Sequence, residues 1–334
     1  MANRKILILP GDGPGPSVIA AAEKVLKAAA PEIDIIHGEI GRTAWEHTSK
    51  VLPASTADMI VAADAILSGP VDISRIGGRD PFCDIRRQLH LYAEVSEFCT
   101  LSGGPETDLL FVNQCSDTAT PVRENEVLDG VVSEIDTEDD SLTELFGACM
   151  DAAERSGRHK VCLVGGPGLF ASSEKHMLDC FRSCFAGSGF ETEVMTAEEA
   201  ACRLVSRPEH FDVIVSGRSS GGYLRGILTG LVGGSGIIPV SYIGGGKGLF
   251  MPSRIFGDED EQRSQNPTSA MLAAAALLRF VGEEEGYNAV QRAVENMYFY
   301  GHTMPDLGRG DLSAEEFTAE ALERVRATMI YHRT

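Results

Sequence analysis

A chain of 334 residues is too long for one simple core and predicts two domains or lobes. Its 29 basic and 49 acidic residues give a net charge of −20, which argues against nucleic-acid or anionic-membrane partners, since both need a basic footprint. An acidic surface also repels small carboxylates, so any site for them must carry local arginine.

The elements alternate along the chain. Ile6–Leu9 reads as a first buried strand, too short for a signal sequence, and Gly11–Pro16 as a tight loop. Ser17–Ala30 is an alanine-rich helix and Ile33–Ile36 a short strand. Thr56–Ala63 is predicted helical, Ala65–Leu67 extended, Cys83–Leu91 helical, and Tyr92–Val95 and Leu109–Val112 extended. Arg123–Asp140 is acidic and partly alternating, the pattern of an exposed hairpin or arm. Helices at Leu142–Arg155, Ser173–Ala186 and Glu198–Val205 interleave with strands Lys160–Val164, Glu191–Met195 and Asp212–Ser216. A glycine-rich turn and an apolar helix follow, then helices Asn266–Phe280, Tyr287–Phe299 and Ala314–Tyr331. The alternation predicts an α/β fold with mainly parallel pairing. The acidic tract Gly257–Gln262 reads as a solvated loop. No apolar run approaches the roughly 20 residues of a membrane span. None of the eight cysteines forms a CxxC pair, so a reduced, cytoplasmic setting is expected.

Several motifs stand in a fixed order. They are Pro10–Pro16 (PGDGPGP), Ala65–Val71 (AILSGPV), Ile85–Glu94 (IRRQLHLYAE), Asp108–Val112 (DLLFV), Phe211–Gly236 (FDVIVSGRSSGGYLRGILTGLVGGSG), Gly248–Pro252 (GLFMP) and Asn266–Thr268 (NPT). Together they resemble the isocitrate/isopropylmalate dehydrogenases, whose corresponding segments read PGDGIGPE, AILxGAV, LRKxLDLYAN, DLLIV, FDVIVTGNLFGDILSD, GLFEP and NPT. The resemblance implies a large mixed or parallel central sheet shared by two lobes. Residues 1–100 with 248–334 would form the nucleotide-side lobe. Residues 101–247 would form a smaller lobe with a dimer clasp around 123–140. It also implies a homodimer whose active sites lie at the subunit contact.

The family's ordinary chemistry oxidises a malate-type hydroxyl with NAD(P) and then releases the β-carboxylate. It uses arginines for carboxylates, a divalent metal and a Lys/Tyr pair. Carried over residue by residue, the resemblance keeps Arg86 as the first substrate arginine. Ser96 stands at the second arginine and Asn113 at the third. The family tyrosine falls near Thr120, and its lysine on Gly166. Arg218 replaces the asparagine before the metal helix, and glycine fills both metal-aspartate positions, Gly222 and Gly226. The NAD loop becomes Arg254–Asp258, one residue shorter.

The expectation is an arginine-lined cleft without a divalent metal, with Arg218, Arg225 and Arg254 joining Arg86 to supply the positive charge. The catalytic candidates are Arg225, Asn113, Gln114 and Asp72, the last at a strand end where open α/β sheets bind ligands. The substrate contacts are Arg86, Ser96, Arg218, Ser219 and Thr120. Gly11, Asp12, Arg254 and Asn266 border the groove in which relatives hold NAD or NADP. Binding there is expected to be weaker than in relatives, or to involve another ligand. Gly244–Gly248 is a glycine-rich candidate for anion binding. Cys115, His90, Lys175 and His176 read as structural or surface residues. Three functions follow: metal-independent chemistry on a small organic acid, such as non-oxidative decarboxylation or proton transfer; a catalytically silent, ligand-binding or regulatory homologue; or an ordinary NAD(P)-dependent dehydrogenase.

Overall fold

The computed structural model describes residues 4–73, 79–101, 105–115, 123–134, 136–165, 171–253, 265–305 and 310–333. Strand β1 (Lys5–Leu9) leads to α1 (Gly15–Ala29), whose first turn holds Pro16, where a missing N–H costs nothing. Next come β2 (Asp34–His37), α2 (Arg42–Thr48), α3 (Ala54–Ala62) and β3 (Ala65–Ser68). Helix α4 (Pro81–Gln88) is capped by Asp80, whose carboxylate accepts the Phe82 N–H at 2.9 Å. Strands β4 (Ala93–Cys99) and β5 (Asp108–Gln114) follow, then a hairpin of β6 (Arg123–Val127) and β7 (Gly130–Glu134). The next elements are α5 (Asp139–Arg155), β8 (Lys160–Val164), α6 (Ala171–Phe185), β9 (Glu191–Met195) and α7 (Ala197–Ser206). Thr196 and Glu199 form a reciprocal capping box at the start of α7. Strand β10 (Val213–Ser216) and α8 (Gly221–Val232) precede β11 (Pro239–Gly244) and β12 (Lys247–Pro252). Helices α9 (Thr268–Val281), α10 (Glu284–Phe299) and α11 (Ala314–Arg333) close the fold.

Ten strands form one sheet in the order β2-β1-β3-β12-β11-β4-β5-β10-β8-β9. Pairing is parallel in both outer parts and antiparallel where β12, β11, β4 and β5 meet in the middle. The sheet is therefore mixed, with a reversed centre that strand-helix alternation alone does not reveal. One face carries α1 and α9 over β1 and β3, and α5 and α6 over β5, β10 and β8. The opposite face carries α3 and α4 on the first half, and α7 and α8 on the second. Each half thus buries apolar side chains on both faces, which explains the continuous apolar runs of the parallel strands.

Two elements differ from expectation. Helix α2 is short and mostly exposed, so it lacks a strong apolar stripe. The Gly244–Gly248 run is a hairpin turn between β11 and β12 and not an open anion loop. Gly245 and Gly246 have φ of 55° and 73°, the left-handed pair that matches strand twist in a two-residue turn. Among the described residues no helix is long and apolar enough to cross a membrane, and all eight cysteines are free thiols.

Candidate active site

Cross-strand register assembles a polar row in the middle of the sheet. Tyr242 on β11 pairs with Glu94 on β4, Glu94 with Asn113 on β5, and Asn113 with Ser216 on β10. Neighbours in a row project to the same face, here the one carrying α4 and α8. Helix α4 brings Arg86 to this row from one half of the sheet, and α8 brings Arg225 from the other.

Arg225 Nη1 donates to Glu94 Oε1 at 2.8 Å. The Arg86 guanidinium lies over the Tyr242 ring, 4.7 Å from its centroid, and its Nη2 approaches Cys83 Sγ at 3.6 Å. Arg86 and Glu94 are each only 8% exposed, so this is charge inside the protein and not a surface ion pair. Burial raises the Glu94 carboxyl above its ordinary range, although the charge and hydrogen bond of Arg225 and the charge of Arg86 act against it. Burial also raises the Tyr242 phenol, with the Glu94 charge adding to the shift and Arg86 and Arg225 opposing it. One buried acid, two guanidinium groups and a phenol therefore share a single electrostatic neighbourhood.

The other expected site residues are scattered more widely. Asn113 Oδ1 accepts from Ser216 Oγ at 3.1 Å, and a Cβ at Gly221 would lie 1.9 Å from that oxygen. A side chain at 221 would therefore displace the Asn113 carboxamide from its contact with Ser216. Gln114 projects to the opposite face, donating to Ser141 Oγ of α5 at 3.0 Å, so it does not join Asn113. Ser96 sits below the row, 2% exposed, its hydroxyl without a hydrogen-bond partner among the described residues. Ser219 is exposed before α8, while Arg218 Nη2 donates to the Asp136 carbonyl at 2.6 Å. Burial lowers the Arg218 pKa, with Asp136 opposing. Thr120, Gly166, Arg254 and the acidic tract 257–262 lie outside the described residues.

The loop candidates act as architecture. Asp12 accepts the N–H groups of Arg42 at 2.8 Å and Asp72 at 3.0 Å, stapling three segments together. Gly11, at φ 75°, lies so close to the chain that an added Cβ would meet Pro70 O at 2.3 Å. Asp72 enters this network through its backbone N–H. Asn266 is 5% exposed; its carboxamide oxygen accepts the Thr268 N–H at 2.9 Å and its NH2 donates to Tyr298 at 3.4 Å. These are contacts of a turn at the start of α9. The described side chains of Asp12 and Asn266 thus make these contacts within the protein.

A divalent ion does not fit the described residues at the start of α8 either. Gly222 and Gly226 offer no donor atom, and a Cβ at either position would meet nothing within 4 Å. Among the described residues no group of three or more His, Cys, Asp or Glu could hold a metal.

The model of the isocitrate/isopropylmalate dehydrogenase family matches residues 5–107 and 119–325. The chain belongs to that family. It is 28% identical to the isocitrate/homoisocitrate dehydrogenase of Thermus thermophilus, across 97% of this chain and 99% of the relative. It is 27% identical to the 3-isopropylmalate/3-methylmalate dehydrogenase of Methanocaldococcus jannaschii, across 96% and 99%. A solved structure of isocitrate dehydrogenase from Methylococcus capsulatus superposes with a TM-score of 0.85 at 26% identity, covering 97% and 99% of the two chains.

Within this isocitrate/isopropylmalate dehydrogenase fold, Glu94 and Tyr242 are the site residues that motif reading passed over. Glu94 ends the quoted IRRQLHLYAE segment, and an acid at an inward position of a half-buried strand was the available signal. Tyr242 lies on β11, a strand between the glycine-rich segments to which the sequence reading assigned no element, so its place beside Arg86 was not foreseen.

Proposed function

We propose that this family member binds a small carboxylic acid in the cleft between α4 and α8 and transfers a proton to or from it without a divalent metal. The observation that carries this reading is the buried Glu94 carboxyl, hydrogen-bonded by Arg225 and under the nearby charge of Arg86. A carboxyl whose pKa is raised keeps its proton nearer neutrality, which general acid–base work requires. Arg86 and Arg218 supply positive charge for substrate carboxylates, while Arg225 orients Glu94. For a 3-oxo acid, loss of CO2 leaves an enolate whose carbon takes the Glu94 proton; water then reprotonates the carboxylate. No step of this proposal is routed through a metal or a nicotinamide.

The test is proton NMR in D2O with small oxo and hydroxy diacids and EDTA, following deuterium incorporation and CO2 release. Glu94→Gln is expected to lower turnover by about 10²–10⁴. NAD(P)H formation from malate-type acids that requires Mg2+ or Mn2+ would overturn the reading. A second reading, a silent ligand-binding homologue, is favoured by the internal pairing of Arg225 with Glu94 and of Arg218 with Asp136. Saturable binding without exchange or CO2 release identifies it.

The same proposal includes a homodimer. Strands β6 and β7 pair only with each other among the described residues, and all their residues are exposed. A lone hairpin is marginal in water, and this one presents Val127, Leu128, Val131 and Val132. A second copy of the chain is the cover proposed for it. Light scattering is expected to give a dimer that Leu128→Asp with Val131→Glu converts to monomer. A monomeric parent at high concentration refutes this.

A further inference from the structure

The face opposite Glu94 holds a cavity of about 420 Å3 behind the same central strands. Alternation along β4 sends Val95, Glu97 and Cys99 to this side, with Leu110 of β5 and Ile243 of β11 beside them. One wall is α5 with the segment to Arg158; the other is α9 and α10. The site described above contributes none of its charged groups here.

Its charge pattern is the reverse of that cleft. Four carboxylates line it (Glu97, Asp108, Asp151 and Glu295) against three guanidinium groups, those of Arg155, Arg158 and Arg279. Arg279 is already held by Glu97 at 2.5 Å and stacks on the Tyr287 ring at 3.4 Å. Arg158 is held by Asp108 and by Asp212 at 3.0 Å. Asp151 and Glu295 have no cation within ion-pair distance among the described residues; Glu295 accepts only from Gln291, at 2.8 Å. The convergence of negative charge is visible at Cys99. Burial first, and then Asp108, Glu295 and Glu97, push its thiol up to about 11, against the opposing charge of Arg158.

We propose that this cavity binds a compact apolar amine, its hydrocarbon body on Val95, Leu110 and Ile243 and its ammonium group toward Glu295. Apolar walls with a few polar groups at one end are the usual makeup of small-molecule sites. Arg158 and Arg279 are neutralised by their partners, and Arg155 stands one turn from Asp151 on α5. Of the four carboxylates, Glu295 on α10 is therefore the one left without a counter-charge among the described residues, which an ammonium supplies. Because the walls come from helices on both halves of the sheet, the bound amine bridges them.

The experiment is calorimetric titration of the full-length protein with 2-phenylethylamine and, separately, 3-phenylpropanoate, which has a similar body and the opposite charge. Saturable amine binding is expected, with the acid at least tenfold weaker. Glu295→Gln should weaken the amine at least fivefold, and Ala152→Phe, which fills the cavity, should abolish binding; melting curves verify that both variants fold. Absence of saturable amine binding, equal or tighter binding of the acid, or amine affinity unchanged in both folded variants overturns the proposal. None of these readouts depends on the chemistry proposed for Glu94.

Discussion

Replacing Arg225 with methionine is expected to destabilise the protein by up to about 3–5 kcal/mol at neutral pH, while the double variant Arg225→Met, Glu94→Gln recovers most of that loss. The single change leaves a buried carboxylate with its hydrogen-bonding cation gone, whereas the double change removes both charges. The sign of the pH dependence follows from Glu94. Its folded-state pKa is raised, so its contribution to stability is fully present below the unfolded value of about 4.3 and is lost as pH rises through the folded value. Without Arg225 that folded value rises further, and the loss extends to higher pH. Urea melts of parent, single and double variants at pH 5 and pH 8 measure this. A double variant as unstable as the single one would show that the pair is not the source.

Restoring carboxylates on α8 is the second large effect. Gly222→Asp with Gly226→Asp introduces side chains where an added Cβ meets nothing, so no overpacking is expected. Glycine within a helix costs roughly 0.5–1 kcal/mol relative to alanine, and an acid in the first turn gains from the helix dipole. Against this, like charges four residues apart repel. The metal-free double variant should therefore lie within about 1 kcal/mol of the parent. With Mn2+ at 100 times its dissociation constant, it should gain about 2.7 kcal/mol that the parent does not. Thermal melts with and without Mn2+ check both statements. Equal, saturable stabilisation of the parent by Mn2+ would overturn the conclusion that its own residues do not fit a divalent ion.

Much of the fold was legible because the inner parallel strands are buried on both faces. Runs such as Ile6–Leu9 and Lys160–Val164 announce themselves without any need for alternation. The same uniformity hid the register. Asn113 and Gln114 follow the apolar run Leu109–Val112, and their polarity hid that the strand continues through them and so turns them to opposite faces. The β11–β12 hairpin was missed because glycines mark a turn without revealing the strands it joins. Charge placement was only half legible: arginine was expected in the cleft, but its carboxylate partner comes from a strand 131 positions earlier in the chain.

The geometry of β4 has a consequence for how this molecule can change. Its even-numbered positions, Glu94 and Ser96, serve one compartment, while Val95, Glu97 and Cys99 serve the other. Point substitutions can remodel either without touching its counterpart. A slip of β4 by one residue against β5 and β11 would do the opposite, carrying Glu94 to the face now held by Val95 and Val95 to that of Glu94.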